Sequence, residues 1–133
     1  MKAKSVSWSK TLVEIPGLQK NKWKSETGFQ IYCMTWLRKQ YLITGNEKYN
    51  HWHHSPNEGL RSALTGLILK LMGMSRGYPD LTNAGLRLAL ELKLPGKPVS
   101  KEQLDWLAYF KSIGWHSEVV RSFERFKEVV EGG

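Results

Sequence analysis

The sequence predicts an α/β domain, and three observations carry that prediction. Stretches with apolar residues at helical spacing alternate along the chain with short runs that read as strands. Ser25, Ser55, Ser100 and Ser122 stand where helices should begin, and a serine there can accept a hydrogen bond from an unpaired backbone N–H. The 133 residues, 41% hydrophobic and 11% aromatic, suffice for one buried core without disulfides or metals to staple it.

Residues 1–24 have no sustained period. Val6 and Trp8, then Thr11, Val13 and Ile15, alternate weakly before a turn at Pro16 and Gly17, which predicts an extended arm or short hairpin ahead of a domain over residues 25–133. Ser25 caps a helix to about Tyr41, with Glu26 in its first turn and Phe29, Cys33, Trp36 and Leu37 at helical spacing. "EKYNHWHHS" reads as a short strand. Ser55, Pro56 and Glu58 then form a capping-box pattern for a helix that runs to about Met72 and stops at Gly73.

"SRGYP" makes a loop, and "DLTNAGLRLALELK" becomes two strands turning at "NAG", where Asn and Gly tolerate left-handed angles. After "LPGKP", Ser100 and Gln103 form a second capping box, and Leu104, Leu107, Ala108 and Lys111 carry a helix to about Ile113. "WHSEVVR" is a strand. Ser122 caps a last amphipathic helix with Phe123, Phe126 and Val130 on one face.

Twenty Lys and Arg against 12 Asp and Glu give a net charge of +8 and point to a polyanionic partner, nucleic acid or an anionic membrane surface. The charge is uneven, since residues 1–24 hold six lysines against Glu14 alone. The lone Cys33 can form no internal disulfide, which fits a reducing, intracellular, cytoplasmic setting. No apolar run is long enough to span a bilayer, and "MKAKSVSWSK" lacks the apolar centre of a signal peptide. A soluble protein with no membrane partner is expected.

Chemistry concentrates on the hairpin. Glu91 and Lys93, two apart on a strand, project from one face while Leu92 points into the core, and Asp80 opens the preceding strand. Acids in strand interiors are disfavoured unless something offsets their desolvation. Cross-strand neighbours sit about 5 Å apart, so the two carboxylates converge if the register sets them opposite. Such a pair suits magnesium or another hard divalent cation. A cation there could polarise a phosphoryl oxygen, with Lys93 orienting water or offsetting developing charge. The plain alternative is an exposed hairpin face with solvated charges.

These residues carry a resemblance. "PDL" followed by "ELK" resembles the Asp and Glu-x-Lys of the PD-(D/E)XK nuclease superfamily. The ordered blocks "HHSPNEG", "GMSRGYPDL", "LELKLPGKPVSKEQLDWL" and "GWHSEVVRS" resemble its VRR-NUC domain from about Ser25 to Val130. The resemblance implies a small mixed β-sheet flanked by helices, a restriction-endonuclease-like core, and a deoxyribonuclease dependent on Mg2+ or Mn2+. By it, Asp80 and Glu91 match metal ligands with the Leu92 carbonyl and Glu26 completing the set, Lys93 matches the catalytic lysine, and Gln103 matches the glutamine of the following helix. Asn57 and Glu58 match the family's "NE" pair. Tyr78 stands where a smaller residue is common, and the arm lies outside the pattern. Small stand-alone members resemble homodimeric, junction-directed nucleases of phages and bacteria, which implies branched DNA such as four-way (Holliday) junctions as substrate.

Several of these residues also have structural explanations. Gln103 and Glu58 complete capping boxes, and Glu26 favours a helix start by its charge. His51, His53 and His54 fit partly buried positions near the cleft better than a zinc site in a chain with one cysteine. Trp36, Trp106 and Trp115 read as core. Lys97, Lys101, Arg121 and Arg125 either line a substrate groove or form a solvated face. Two rival functions remain: a flap or single-strand nuclease with the same chemistry, and a non-catalytic nucleic-acid-binding module.

Overall fold

The computed structural model describes residues 23–55 and 63–132. Residues 1–22 of the predicted 1–24 arm, and Pro56, Asn57 and Glu58 of the first capping box, lie outside the described residues, while Trp23 near the end of that arm stacks on Phe29 at 4.5 Å and packs against the core. The architecture is a mixed four-stranded sheet in the order β1 (His53–His54), β2 (Leu81–Asn83), β3 (Leu88–Leu92), β4 (His116–Val120). Helices α1 (Glu26–Thr44), α2 (Ala63–Leu71), α3 (Lys101–Ser112) and α4 (Phe123–Gly132) accompany it. The first three strands pair antiparallel, and β4 runs parallel to β3, which needs the long crossover that α3 supplies.

Strand β3 is buried along its whole length, so each of its faces meets a different layer. Leu88, Leu90 and Leu92 join a core with Phe29, Cys33 and Leu37 of α1 and Phe126 and Val130 of α4. Ala89 and Glu91 point the other way, toward α3, where Ser117 of β4 donates to the Leu107 carbonyl at 2.6 Å. One strand therefore serves the core with one face and the site with the other.

Helix α1 starts as predicted, with Ser25 Oγ accepting from Gly28 N. It runs past Tyr41 to Thr44 and stops at Gly45, whose φ of 66° and N–H to the Tyr41 carbonyl make a left-handed cap. Three expectations need correction. The strand read in "EKYNHWHHS" is confined to His53 and His54, because Glu47–Tyr49 form a 3-10 turn capped by the Asn46 side chain on Lys48 N. His51, at φ 61°, breaks the extended run, and it and His53 are exposed, so of the three histidines expected to be partly buried only His54 is. In the hairpin, the left-handed residue is Arg87 (φ 54°) rather than the Asn or Gly of "NAG". Asn83 is instead a buried bracket, donating to the Asn50 carbonyl at 2.9 Å and accepting from Leu86 N at 3.0 Å.

Candidate metal centre and active site

The β2–β3 register sets Leu81 opposite Leu90, and continuing it by one residue sets Asp80 opposite Glu91. Asp80 is pinned there, since its Oδ2 accepts from Leu92 N at 2.8 Å. Its carbonyl oxygen lies 2.9 Å from His54 Nδ1, so β1 steadies the same residue from the far side.

Glu91 is 2% exposed. Its Oε2 accepts from Gln103 Nε2 at 2.8 Å, while Gln103 Oε1 accepts from Ser100 N at 2.9 Å. The other half of this capping box, Gln103 N to Ser100 Oγ, is also made. One amide thus closes the helix end and fixes a carboxylate. Both readings of Gln103 hold at once.

Glu91 Oε1 is buried with no hydrogen-bond partner. Burial, then the neighbouring charge of Asp80, pushes the Glu91 carboxyl from 4.5 up to about 9, against a partial pull from Lys93. Without a metal this pair keeps a proton on Glu91; a divalent cation that displaced it would meet two carboxylates and an oxygen that no donor fills, a set that fits such an ion. Among the described residues, no three His, Cys, Asp or Glu side chains converge into a ready ligand set. Glu26, in the first turn of α1, directs Oε2 to Leu94 N at 3.1 Å and holds the chain just beyond Lys93.

Asp80, Glu91, Leu92, Lys93, Gln103 and Glu26 all line one cleft of about 1500 Å3, together with residues of α2 and the Ser75–Tyr78 loop. Lys93 is half-buried, and its N–H is tied to the Val120 carbonyl at 3.0 Å. Lys97, Lys101 and Arg121 do not line this cleft. Lys97 and Lys101 are exposed. Arg121 directs Nη1 to the Leu94 and Lys97 carbonyls at 3.0 and 2.8 Å, bracing the turn that follows β3.

Sequence reasoning missed the His54 tie to Asp80, for which strand pairing is the only signal. It also read Trp106 as core, whereas Trp106 is half-buried and lines the cleft with Tyr78. Its spacing three residues after Gln103 was the available clue. Trp36 is also half-buried but packs against the core, edge-on to Tyr49 and Phe123. Among the described residues, no helix is long and apolar enough to cross a membrane.

A comparison with curated proteins finds no match. A solved structure described as a VRR_NUC domain protein shares the fold, with a TM-score of 0.67 and 23% identity over 80% of this chain and 85% of that one. The profile of the VRR-NUC domain family matches residues 24–124, and with three quarters of the sequence so matched the chain belongs to this family of nucleases.

Proposed function

We propose that this chain is a divalent-metal-dependent endonuclease that hydrolyses DNA phosphodiester bonds, acting as a homodimer on branched DNA such as four-way junctions. The observation that carries the reading is the buried Glu91 carboxylate, with one oxygen unpartnered and Asp80 beside it. In a module that only bound nucleic acid, this arrangement would cost stability and return nothing.

Asp80 and Glu91 would hold magnesium or manganese, with the Leu92 carbonyl and Glu26 as further ligands. Such a cation, when bound, supplies the positive charge that polarises a phosphoryl oxygen and acidifies an attacking water. Lys93 would orient that water or donate to the charge that develops on the phosphorane oxygens. Gln103 keeps the Glu91 carboxylate in one rotamer through its 2.8 Å bond, which limits the reorganisation needed during reaction. The net charge of +8 attracts the phosphate backbone.

The homodimer is supported by an apolar surface on and after α2, where Leu67, Ile68, Leu71 and Met72 are all exposed. Two sites related by a two-fold axis could cut opposed strands of a junction. The test is a panel of labelled junctions, flaps, duplexes and single strands incubated with Mg2+, Mn2+ or a chelator, with sedimentation in parallel. Metal-dependent, paired cuts in junctions by a dimer are expected. Cleavage that persists in chelator would overturn the metal requirement, and preference for flaps or single strands would replace the junction assignment.

A further inference from the structure

Residues Tyr78 and Trp106 are not needed by the metal chemistry, yet both line the cleft beside the carboxylates. Trp106 lies three residues after Gln103 on α3, so it projects from the helix face whose glutamine grips Glu91. Tyr78 sits two residues before Asp80. The two rings meet edge to face with centroids 4.9 Å apart, and each also contacts Phe110.

The pair is preformed, because the loop carrying Tyr78 is pressed onto the first turn of α3. Gly77 has a φ of 84°, and a Cβ there would lie 2.6 Å from the Glu102 carbonyl carbon and 2.8 Å from Gln103 N. Only glycine permits that approach. Phe110 beneath is buried, while Trp106 and Tyr78 above it remain half-buried. The indole N–H of Trp106 has no partner among the described residues. An aromatic wall with buried backing and an open side, beside a site that would hold a phosphate, matches the surface that nucleobases stack upon.

We infer that Trp106 and Tyr78 form a stacking wall for one unpaired nucleobase next to the scissile phosphate, an inference that rests on the nuclease reading above. The base must be unpaired, since a base inside a duplex already has both faces covered by its neighbours. Stacking is indifferent to base identity, so the wall selects for strand state and not for sequence. It therefore points to nucleotides of a flap or single strand, or of a junction crossover whose base pair has opened, as those presented to the metal centre.

Binding tests this without any cleavage. A short single strand carrying 2-aminopurine is titrated with the full-length protein in chelator, alongside the same strand with an abasic site and a matched duplex. Wild type should quench 2-aminopurine fluorescence and bind the abasic strand about tenfold more weakly than the intact one. Trp106→Ala should lose the quench and bind the intact strand about tenfold more weakly, with duplex affinity unchanged, and Trp106→Phe should retain most of both. A Trp106→Ala variant that melts like wild type yet keeps its quench and single-strand affinity overturns the inference. If that variant fails to fold, Tyr78→Leu and the abasic comparison in wild type decide, and equal affinity for abasic and intact strands overturns it. A protein that stacks bases but cuts no DNA would sink the nuclease reading and leave the nucleobase site standing.

Discussion

Glu91 and Glu118 lie on adjacent parallel strands, one register step apart, and the chain treats them in opposite ways. Glu118 accepts from Arg125 Nε and Nη2, both at 2.7 Å, and sits 2.7 Å from His116 Nε2. These bonds, Arg125 first, hold its carboxyl below the usual carboxylate range. Glu91 receives the neutral amide of Gln103 and a partial pull from Lys93, with no donor on its other oxygen, so burial and then the charge and hydrogen bond of Asp80 drive its carboxyl up to about 9. The same kind of side chain is neutralised by an arginine on one strand and left without a paired cation on the next, where the proposed metal would supply it. A glutamine in the first turn of α3 orients Glu91 without discharging it; an arginine there would have filled the need.

The largest effect expected is on cleavage. Asp80→Ala or Glu91→Ala should lower the cleavage rate by roughly 1000-fold or more, because loss of a ligand removes several kcal/mol of charge stabilisation. Glu118→Ala should leave the rate within a few-fold of wild type. Gel assays on purified, folded variants check this, and equal losses at both glutamates would erase the contrast. Next in size is Lys93→Ala, which keeps both carboxylates and should cost about 100-fold in rate. Recovery of the full rate at higher metal concentration would assign Lys93 to ion binding instead.

Gln103→Glu sharpens the comparison further. Glutamate completes a capping box as well as glutamine does, so the end of α3 should survive. The N–H donor to Glu91 is replaced by a third negative charge, and the rate should fall about 10- to 100-fold. Thermal melting and kinetics on one preparation separate these effects, and an active variant would confine Gln103 to capping.

The two glutamates should also oppose each other in pH dependence, with smaller effects. The Glu91 carboxyl rises from 4.5 to about 9 on folding. The metal-free folded state then holds a proton that the unfolded chain releases, so this stability is complete below about pH 4.5 and is lost as pH rises through about 9. Glu91→Gln should flatten that loss in chelator. Glu118, held low, contributes stability above the ordinary carboxylate range that fades as pH falls. Glu118→Gln should remove only a small, salt-sensitive increment, as is usual for a partly exposed ion pair. Melting temperatures across pH distinguish the two, and the same slope for both variants would contradict the assignment.

Much of this was legible in the sequence because local chemistry and global fold agree. Ser25 and the Ser100–Gln103 box begin α1 and α3 where expected, and Phe123, Phe126 and Val130 bury the predicted face of α4. The convergence of Asp80 and Glu91 followed from strand parity and a hairpin register. What escaped depended on contacts distant in sequence. The strand expected at Glu47 yields to a 3-10 turn, because Asn46 caps it locally and Tyr49 enters the core with its hydroxyl on Glu131 at 2.7 Å. Trp106 has the spacing of a core residue, and the cleft beside it shows that its ring stays open. Arg121 reads as a groove cation by charge, but its nearest acceptors are two backbone carbonyls.

The central claim is that Asp80 and Glu91 form a divalent-cation site, and calorimetric titration of Mn2+ into metal-free protein at neutral pH tests it most directly. Wild type should bind the ion and release a proton from Glu91, measurable by repeating the titration in buffers of different ionisation enthalpy. Binding should be lost in Glu91→Gln and unchanged in Glu118→Gln. Identical Mn2+ binding and proton release by wild type and Glu91→Gln would contradict the account.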